Sequence, residues 1–593
     1  MAFMQMDDDG GARPLHTAPQ ENMGESMADA GIVIRGGLIC DGTGSEPFAA
    51  DILLRGGRIA AIGAITAPDA EVIDAHGCIV TPGFVDLHTH YDGQAIWSDR
   101  LIPSSQHGVT TAVLGNCGVG FAPCRAEDRE RLIGVMEGVE DIPEVVMADG
   151  LTWDWESFPD YLDVLERRRR DIDVAAYIPH SALRVFVMGP RGAAREPATA
   201  EDLARMQELV REAMRAGALG FATSRQFIHR THDGAMIPSF DVAENELRLL
   251  VEAMGPKGVF QIVLDTPHST WTEELAVVRR VVGTTGCMAM FTLGQGATNP
   301  DDWRDALAIV DTANAEGQTI RAQVFPRPIG ILIGHDLSAN PFMDRPSYKA
   351  LPRDLPGRIA ALRDPQMRAA ILAEESTGGM TPLQAMSTDF ARMFVMGPRP
   401  DYEPRAQDSI AARAAAQGVT PHELAYDLLL EDDGRAMLYV AVGNYGQGTL
   451  DPIREMMLND NTVLGLGDGG AHYGMICDAS FPTFMLTHWV RDRDHGRLPL
   501  PWVIDALTRT PAHAAGLHDR GVLAPGLKAD VNVIDLDRLA LHQPSVLHDL
   551  PAGGRRLAQG ADGFVATLVG GVPIQRDGVP TGQLPGQVIR AAH

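Results

Sequence analysis

Eight short apolar runs alternate with helical segments along most of this chain, and no other feature constrains the fold as strongly. One helical segment, residues 200–211, has apolar residues spaced three and four apart, as on one face of a helix. Strand followed by helix, repeated in this way, predicts an α/β fold, a parallel (β/α)8 barrel with its chemistry at the C-terminal strand ends. The predicted strands are residues 83–88, 110–115, 173–178, 218–223, 259–264, 287–293, 319–325 and 462–467.

The two ends of the chain depart from this alternation. Residues 31–80 and 519–593 consist of short strand-like runs separated by glycine turns, a pattern typical of β-hairpins. We therefore predict two parts of a small sheet domain on either side of a barrel at residues 81–518, with residues 1–30 as a disordered tail. Residues from about 326 to 460 contain helical patches and are too numerous for a simple loop, so they predict a large insertion over the barrel mouth.

Charge and cysteine content exclude several classes of protein. A net charge of −28 argues against nucleic acid or an anionic membrane as a partner. The chain has neither a basic and apolar leader nor a run of about eighteen apolar residues, so no signal peptide or membrane span is predicted. Its six cysteines lack paired spacing, which predicts reduced thiols and a cytoplasmic location. A homo-oligomer is compatible with this composition, but nothing in the sequence demonstrates one.

Two histidines one residue apart, His88 and His90, follow the first apolar run. Side chains alternate between the two faces of a strand, so both imidazoles point the same way and can hold one metal ion. The sequence Thr-Pro-Gly before this run supports a strand that starts there. Metal-assisted hydrolysis is therefore the leading functional hypothesis.

Two further residues follow other apolar runs and add ligand chemistry. Cys117 comes after the second run, and a thiolate there would lie beside the two histidines. Asp468 comes after the last run, directly before a glycine turn. His472 follows on the same turn, either near the metal or as an ordinary turn residue.

The His-x-His pair and the Gly-Asn-Cys-Gly segment at residues 115–118 resemble the amidohydrolase superfamily, and within it the D-aminoacylase (N-acyl-D-amino-acid deacylase) branch. The resemblance covers residues 31–571. It implies hydrolysis of a C–N amide bond in a small-molecule substrate, and a β-sandwich combined from both chain ends. It also implies a zinc site, with one Zn²⁺ preferred over two. The implied ligands are His88, His90, Cys117 and Asp468.

The resemblance also implies catalytic roles. Asp468 would take the proton from the attacking water and then deliver one to the leaving amine. Many members of the superfamily bridge two metals with a carboxylated lysine. This chain has three lysines, at 257, 349 and 528, and none is predicted at the end of a barrel strand. Cys117 is therefore the expected anionic ligand.

Three positions depart from the family pattern. Relatives carry histidines after strands five and six, where this chain has Val263 and Thr292, and a carboxylate-binding lysine where it has Gly294. Valine cannot bind a metal and threonine seldom holds zinc, so the second metal position is expected to be lost or rebuilt. Candidates for a second metal or for substrate binding are His180, His229, His232 and His268.

Substrate recognition is expected to involve arginine. A deacylase for N-acyl amino acids must bind a carboxylate, and a guanidinium does so with two parallel hydrogen bonds. The candidates shortly after predicted strand ends are Arg225, Arg327 and Arg184, with Arg230 nearby. Two alternatives stay open, namely a hydrolase of a cyclic or xenobiotic amide or ester without a free carboxylate, and a noncatalytic binding protein that retains the barrel.

Overall fold

The barrel is present in the computed structural model, which describes residues 31–592 apart from 267, 297 and 378–380. The predicted disordered tail, residues 1–30, lies outside the described residues. Eight parallel strands follow one another around the barrel in chain order, and each of the eight predicted runs overlaps one of them. The barrel strands, numbered one to eight below, are Phe84–Asp86, Val109–Leu114, Asp173–Pro179, Gly220–Ser224, Val259–Val263, Met288–Leu293, Thr319–Val324 and Thr462–Leu464.

Strands eight and one are joined by the loops at their C-terminal ends. The backbone N–H of Asp468 donates to the carbonyl of His88 at 3.0 Å, and the N–H of His90 donates to the carbonyl of Gly469 at 2.8 Å. Closure of the ring therefore brings the first and last predicted metal ligands together.

Helices connect the barrel strands and cover them. The connections from strand one to strand seven contain α-helices Gln94–Trp97, Arg129–Glu140, Glu144–Gly150, Phe158–Arg167, His180–Met188, Pro190–Ala193, Ala200–Ala216, Glu244–Met254, Trp271–Gly283 and Trp303–Ala315, and 3₁₀ turns Ser104–His107, Asn116–Gly118 and Ala126–Asp128. Helix Asp451–Met457 precedes strand eight, and Asp478–Ser480 (3₁₀), Phe481–Phe484, Met485–Asp492 (π-helix), Leu500–Leu507 and Arg509–Ala514 follow it.

Helix Ala200–Ala216 shows why these segments are helical. The Thr199 side chain accepts a hydrogen bond from the backbone N–H of Asp202, and the Asp202 side chain accepts one from the backbone N–H of Thr199. Gly217, at φ +103°, ends the helix. The side chains that it buries are spaced three and four residues apart, as predicted from residues 200–211. They are Met206, Leu209, Val210, Ala213 and Met214.

Both chain ends contribute to one β domain, as predicted. Its main sheet is mixed and nine-stranded, and strand Ile79–Pro82 from the first part pairs antiparallel with Val531–Ile534 from the second. The other strands are Ile32–Ile39, Phe48–Arg55, Arg58–Gly63, Glu71–Asp74, Phe564–Val569, Val572–Arg576 and Val579–Pro580. Two small ribbons, Ala540–Leu541 with Ala561–Asp562 and Ser545–Leu547 with Arg556–Ala558, and the 3₁₀ turn Pro551–Gly553 complete this end.

The last described residues leave this sheet and contact the barrel. The backbone of Ile589 donates to the carbonyl of Val174 at 2.7 Å, near the start of strand three. From the sequence, this segment was predicted to belong to the sheet domain. No local pattern reveals its contact with Val174, which is distant along the chain. The exact domain boundaries stay a prediction.

The large insertion has its own sheet and its own apolar core. Three antiparallel strands lie in the order Ile329–Ile333, Leu438–Gly443, Met393–Val395. Its helices are Pro346–Lys349, Leu355–Leu362, Pro365–Ala373, Pro382–Ser387, Ile410–Gln417, Pro421–Leu429 and Glu431–Gly434, with a 3₁₀ turn at Ala406–Asp408. Leu332 donates its N–H to the carbonyl of Met475 at 2.7 Å, which ties the insertion to the loop after strand eight.

Two predictions from composition can be compared with the structure. All six cysteines are buried and unpaired. Among the described residues, no helix has the length and apolar character needed to cross a membrane.

Glu403 joins the insertion to the π-helix after strand eight. Its carboxylate accepts hydrogen bonds from Arg493 Nε and Nη2 at 2.9 and 2.8 Å, and lies 2.8 Å from His488 Nε2. Burial alone would raise the pKa of Glu403, but the bonds from Arg493 and His488 outweigh it and hold the pKa well below its usual range.

We predict that Glu403→Gln lowers the free energy of unfolding at pH 7 by about 2 kcal/mol, because a charged hydrogen-bond acceptor is lost. The folded-state pKa lies below the unfolded value of about 4.3, so this stabilisation is complete at neutral pH and is lost as the pH falls below that value. Urea unfolding at pH 7 and in the acid range measures both effects. Asp408→Asn, at an exposed position of the same insertion, is the control. If the loss in free energy of unfolding caused by Glu403→Gln were as large in acid as at pH 7, the stabilising role of the Glu403 carboxylate would be contradicted.

Candidate metal centre

His88 and His90 lie just beyond strand one and face the same space. Their rings are 5.3 Å apart, and the side chains are 2% and 1% exposed. Asp86, the last residue of the strand, accepts the N–H of His88 at 3.1 Å, which fixes the start of the turn. The alternation predicted from the sequence therefore places both imidazoles at the C-terminal end of the barrel.

Cys117 lies in the tight turn after strand two. Its backbone has φ +56°, and its N–H donates to Gln261 Oε1 on strand five at 3.0 Å. The next residue, Gly118, has φ +66°, and a Cβ there would lie 2.6 Å from the Cα of Thr223. Only glycine allows the turn to press against strand four in this way. The turn brings Cys117 Sγ to 3.3 Å from His88 Nε2 and 3.9 Å from His90 Nε2.

Asp468 completes the group from the loop after strand eight. Its Oδ1 lies 3.6 Å from the Nε2 atoms of both His88 and His90. The Asp468 side chain is 24% exposed, whereas the imidazoles are almost fully buried. The carboxylate is therefore the member of the group that faces the barrel mouth.

The electrostatics of this group fit a divalent cation. Burial lowers the pKa of His88 to about 4, so its imidazole is neutral and has a lone pair to donate. Burial raises the pKa of the Cys117 thiol to about 12, a cost that a bound cation reverses by stabilising the thiolate. Burial would also raise the pKa of Asp468, but His90 and His88 outweigh it and lower the pKa to about 2. Nitrogen, sulfur and carboxylate donors at one buried point are the set that zinc prefers.

The donor atoms of His88, His90 and Cys117 all lie within 4.8 Å of one another. The structure thus brings together the four residues predicted as ligands. Which of them bind a metal stays a prediction.

Two glutamines on the barrel strands position the ligands, and neither was predicted from the sequence. Gln323 Oε1 on strand seven lies 3.0 Å from His88 Nδ1, an arrangement that leaves Nε2 for the metal. Gln261 on strand five holds the Cys117 backbone, as described above. Each is a polar residue inside an otherwise apolar strand, and that is the signal in the sequence that could have indicated them.

A buried carboxylate, Glu140, also lies against the group and was not predicted. Its Oε1 is 3.4 Å from His90 Nδ1, and its Oε2 is 3.6 Å from His472 Nε2. Glu140 ends a helix in the connection between strands two and three, so no local motif links it to a metal site. The sequence left open whether His472 lies near the metal or is an ordinary turn residue. Its backbone N–H also donates to the Glu140 carbonyl.

The positions that depart from the family pattern offer no second metal site of the usual kind. Val263 is buried at the end of strand five, and Thr292 lies on strand six. A Cβ added to Gly294 would lie 3.0 Å from the Ile329 side chain and 3.2 Å from Asn444 Oδ1. The insertion therefore occupies the space in which a longer side chain would lie.

Two predicted site residues, His180 and Arg184, are committed to one buried carboxylate. His180 Nε2 lies 2.9 Å from Glu246 Oε1 and its Nδ1 lies 2.8 Å from Thr223 Oγ1. Arg184 Nη1 contacts both oxygens of Glu246 at 2.5 and 2.6 Å. In this arrangement neither nitrogen of His180 is left for a metal. The positive charge of Arg184 is paired with the Glu246 carboxylate inside the core.

The other three candidate histidines differ in their surroundings. His229 Nδ1 bonds to Ser224 Oγ at 2.8 Å, and burial together with the nearby His472 and His90 lowers its pKa to about 3. The exposed His232 is bound through its backbone N–H to the carbonyl of Gly134. His268 is half exposed, and its ring lies tilted against the Phe227 ring with the two centroids 4.1 Å apart. Of these three, His229 is the one that interacts electrostatically with the metal centre.

The two remaining predicted arginines are paired with carboxylates. Arg225 makes a double contact with Glu274 at 2.8 and 3.1 Å. Arg327 is 1% exposed, and its Nη2 contacts Asp478 Oδ1 at 2.6 Å. A role for Arg225, Arg327 and Arg184 in substrate binding stays a prediction, and these pairings weaken it.

Comparison with known proteins agrees with the fold. The amidohydrolase family model matches residues 71–575. A D-aminoacylase of Alcaligenes xylosoxydans xylosoxydans is 26% identical over 565 residues, covering 94% of this chain and 97% of the relative.

Two solved structures have the same fold. A crystal structure of N-acyl-D-glutamate deacylase from Bordetella bronchiseptica, complexed with zinc and a phosphonate mimic of the tetrahedral intermediate, is 23% identical with a TM-score of 0.62, covering 95% of this chain and all of that one (100%). A D-aminoacylase structure, described as having a binuclear metal center with one-metal activation and second-metal attenuation, is 22% identical with a TM-score of 0.62, covering 94% and 99% of the two chains. This chain belongs to the amidohydrolase family, in its D-aminoacylase-like branch, and is a metal-dependent hydrolase of C–N amide bonds.

Proposed function

We propose that this protein is an N-acyl-amino-acid deacylase, which hydrolyses the amide bond between an acyl group and the amino acid nitrogen. The observation that carries the proposal is Asp468, a partly exposed carboxylate held 3.6 Å from two buried imidazoles. The Asp468 side chain is 24% exposed, so solvent reaches that carboxylate. The D-aminoacylase relative, similar over nearly the whole chain, supports the same reaction.

The proposed cofactor is one zinc ion held by His88, His90, Cys117 and Asp468. A divalent metal bound by such donors supplies a Lewis acid and makes water a stronger acid near neutral pH. The loss of histidine at positions 263 and 292 supports a single metal over two. The one-metal activation described for a D-aminoacylase is consistent with this choice.

Asp468 is proposed to move the protons of the reaction. The carboxylate is ionised at neutral pH and lies beside the proposed metal, so it can accept a proton from the attacking water. The same residue then delivers that proton to the nitrogen of the leaving amino acid. His88 and His90 are nearly enclosed, so they hold the site together and do not face the substrate.

Arg230 is the guanidinium that we propose for the substrate carboxylate. Its Nη1 donates to the carbonyl of Gly234 at 2.9 Å and its guanidinium lies 4.4 Å from the Phe227 ring centroid. Among the described residues no carboxylate pairs with it, in contrast to Arg184, Arg225 and Arg327. It directly follows His229, which interacts electrostatically with the metal centre, and its guanidinium carries the parallel donors that a carboxylate accepts.

His229 is the best candidate ligand for a second metal or for a polar group of the substrate. Ser224 holds the Nδ1 atom of His229, which leaves Nε2 available on the side of the metal centre. His180 lacks such a nitrogen, and His232 and His268 are more exposed.

A second candidate function is hydrolysis of a cyclic or xenobiotic amide or ester without a free carboxylate. The missing family lysine at Gly294, where Ile329 and Asn444 fill the space, favours it. The noncatalytic alternative does not fit the family assignment. Zinc, its number and the cytoplasmic location remain proposals.

We predict that zinc-loaded protein releases free amino acid from at least one member of a panel of N-acetyl-D- and N-acetyl-L-amino acids. Asp468→Asn should reduce kcat by about 10²- to 10⁴-fold, because the proton acceptor and donor is lost. Asp460→Asn, at an exposed position before strand eight, is the control and should retain activity. Absence of turnover across the panel by metal-loaded wild type would refute the deacylase proposal.

We predict that Arg230→Gln raises KM for an N-acyl amino acid about 10-fold or more, because a charged hydrogen bond to the carboxylate is lost. The kcat/KM for the corresponding uncharged amino acid amide should not change. Steady-state kinetics on the acid and amide pair measure the difference, with Arg205→Gln on the outer helix as control. An equal effect on both substrates would exclude carboxylate recognition by Arg230 and favour the second candidate function.

A further inference from the structure

We propose that Glu140 is a positioning residue for the metal centre, which holds the His90 ring so that its Nε2 lone pair faces the metal. The inference rests on the proposed metal site and not on the identity of the substrate.

The geometry points from Glu140 to His90. Glu140 Oε1 and His90 Nδ1 lie 3.4 Å apart, and neither atom has a hydrogen-bond partner elsewhere in the described part of the chain. The two side chains are 2% and 1% exposed, so bulk solvent does not reach this pair. A shift of a few tenths of an ångström (~0.3 Å) brings the two atoms into the range of a hydrogen bond. His90 would then carry its proton on Nδ1, as metal-binding histidines do when a carboxylate accepts from the other nitrogen.

The position of Glu140 is unfavourable for a carboxylate unless it has such a partner. It is the last residue of helix Arg129–Glu140, where the helix dipole disfavours negative charge. It is also buried, and among the described residues no lysine or arginine contacts its side chain. A buried and unpaired charge is costly. The imidazoles of His90 and His472 are the charge-compensating groups that the fold provides.

The surrounding backbone fixes this helix end with respect to the metal centre. A Cβ on Gly138 would lie 2.2 Å from the carbonyl oxygen of Arg230, so the helix packs closely against the segment after strand four. Asp141, directly after Glu140, accepts a hydrogen bond from Ser338 of the large insertion at 2.9 Å. The helix end is therefore held from two sides.

His472 extends the same arrangement to the loop that carries Asp468. Its backbone N–H donates to the Glu140 carbonyl, and its Nε2 lies 3.6 Å from Glu140 Oε2. One carboxylate thus contacts a ligand from strand one and a residue four positions after Asp468. We infer that Glu140 sets the distance between these two parts of the site.

The test compares zinc release from purified, zinc-loaded wild type, Glu140→Gln and Glu130→Gln, with a coloured chelator in excess. Glu130 lies on the first turn of the same helix and is exposed, so its substitution is a matched control. We expect Glu140→Gln to bind zinc about 10- to 100-fold more weakly, the usual effect of removing the group that orients a ligand histidine. Glu130→Gln should release zinc as the wild type does.

A second readout separates positioning from a structural role. The rise in unfolding temperature that zinc produces should be smaller in Glu140→Gln than in wild type, because weaker zinc binding stabilises the folded state less. A lower unfolding temperature of the metal-free form with unchanged zinc affinity would show that Glu140 is structural, and would overturn the inference.

Two other variants keep the test decisive if Glu140→Gln does not fold. Glu140→Asp keeps the charge but shortens the reach, and should lose zinc faster than wild type. His472→Gln leaves the Glu140–His90 pair intact, and should lose zinc more slowly than Glu140→Asp. Equal zinc release by wild type and Glu140→Asp would overturn the inference while leaving the deacylase proposal unaffected. Failure of the wild type to bind zinc would overturn both.

Discussion

The structure depends on closure of the barrel between strands one and eight. Backbone hydrogen bonds from Asp468 to His88 and from His90 to Gly469 place the first and last ligands side by side. Cys117 enters the same space from strand two. Two imidazoles, a thiol and a carboxylate are thus gathered in a largely buried site, a combination that is costly without a cation and well suited to one.

The connection between strands two and three and the large insertion meet beside this site. The connection between strands two and three supplies Glu140, and the large insertion contacts the next residue through Ser338. The large insertion also fills the space beside Gly294, where the family resemblance implies a lysine. Substrate specificity in this chain is therefore expected to depend on residues outside the barrel strands, with Arg230 as the proposed contact for a carboxylate.

The sequence predicted the parts of the fold that local periodicity encodes. All eight barrel strands and the four grouped residues, His88, His90, Cys117 and Asp468, follow from apolar runs and from what stands at their ends. Partners distant along the chain could not be predicted in this way. Arg184 looked available for a substrate until the structure showed Glu246 beside it, and the final segment of the chain contacts the barrel instead of the sheet.

The most direct test of the account is X-ray absorption spectroscopy at the zinc edge on zinc-loaded wild type and Cys117→Ala. A single site of the proposed kind gives one sulfur at about 2.3 Å and nitrogen or oxygen ligands at about 2.0–2.1 Å. The sulfur contribution should disappear in Cys117→Ala. A wild-type spectrum without sulfur, or with a second metal at about 3.5–4 Å, would contradict the single zinc centre on which the account rests.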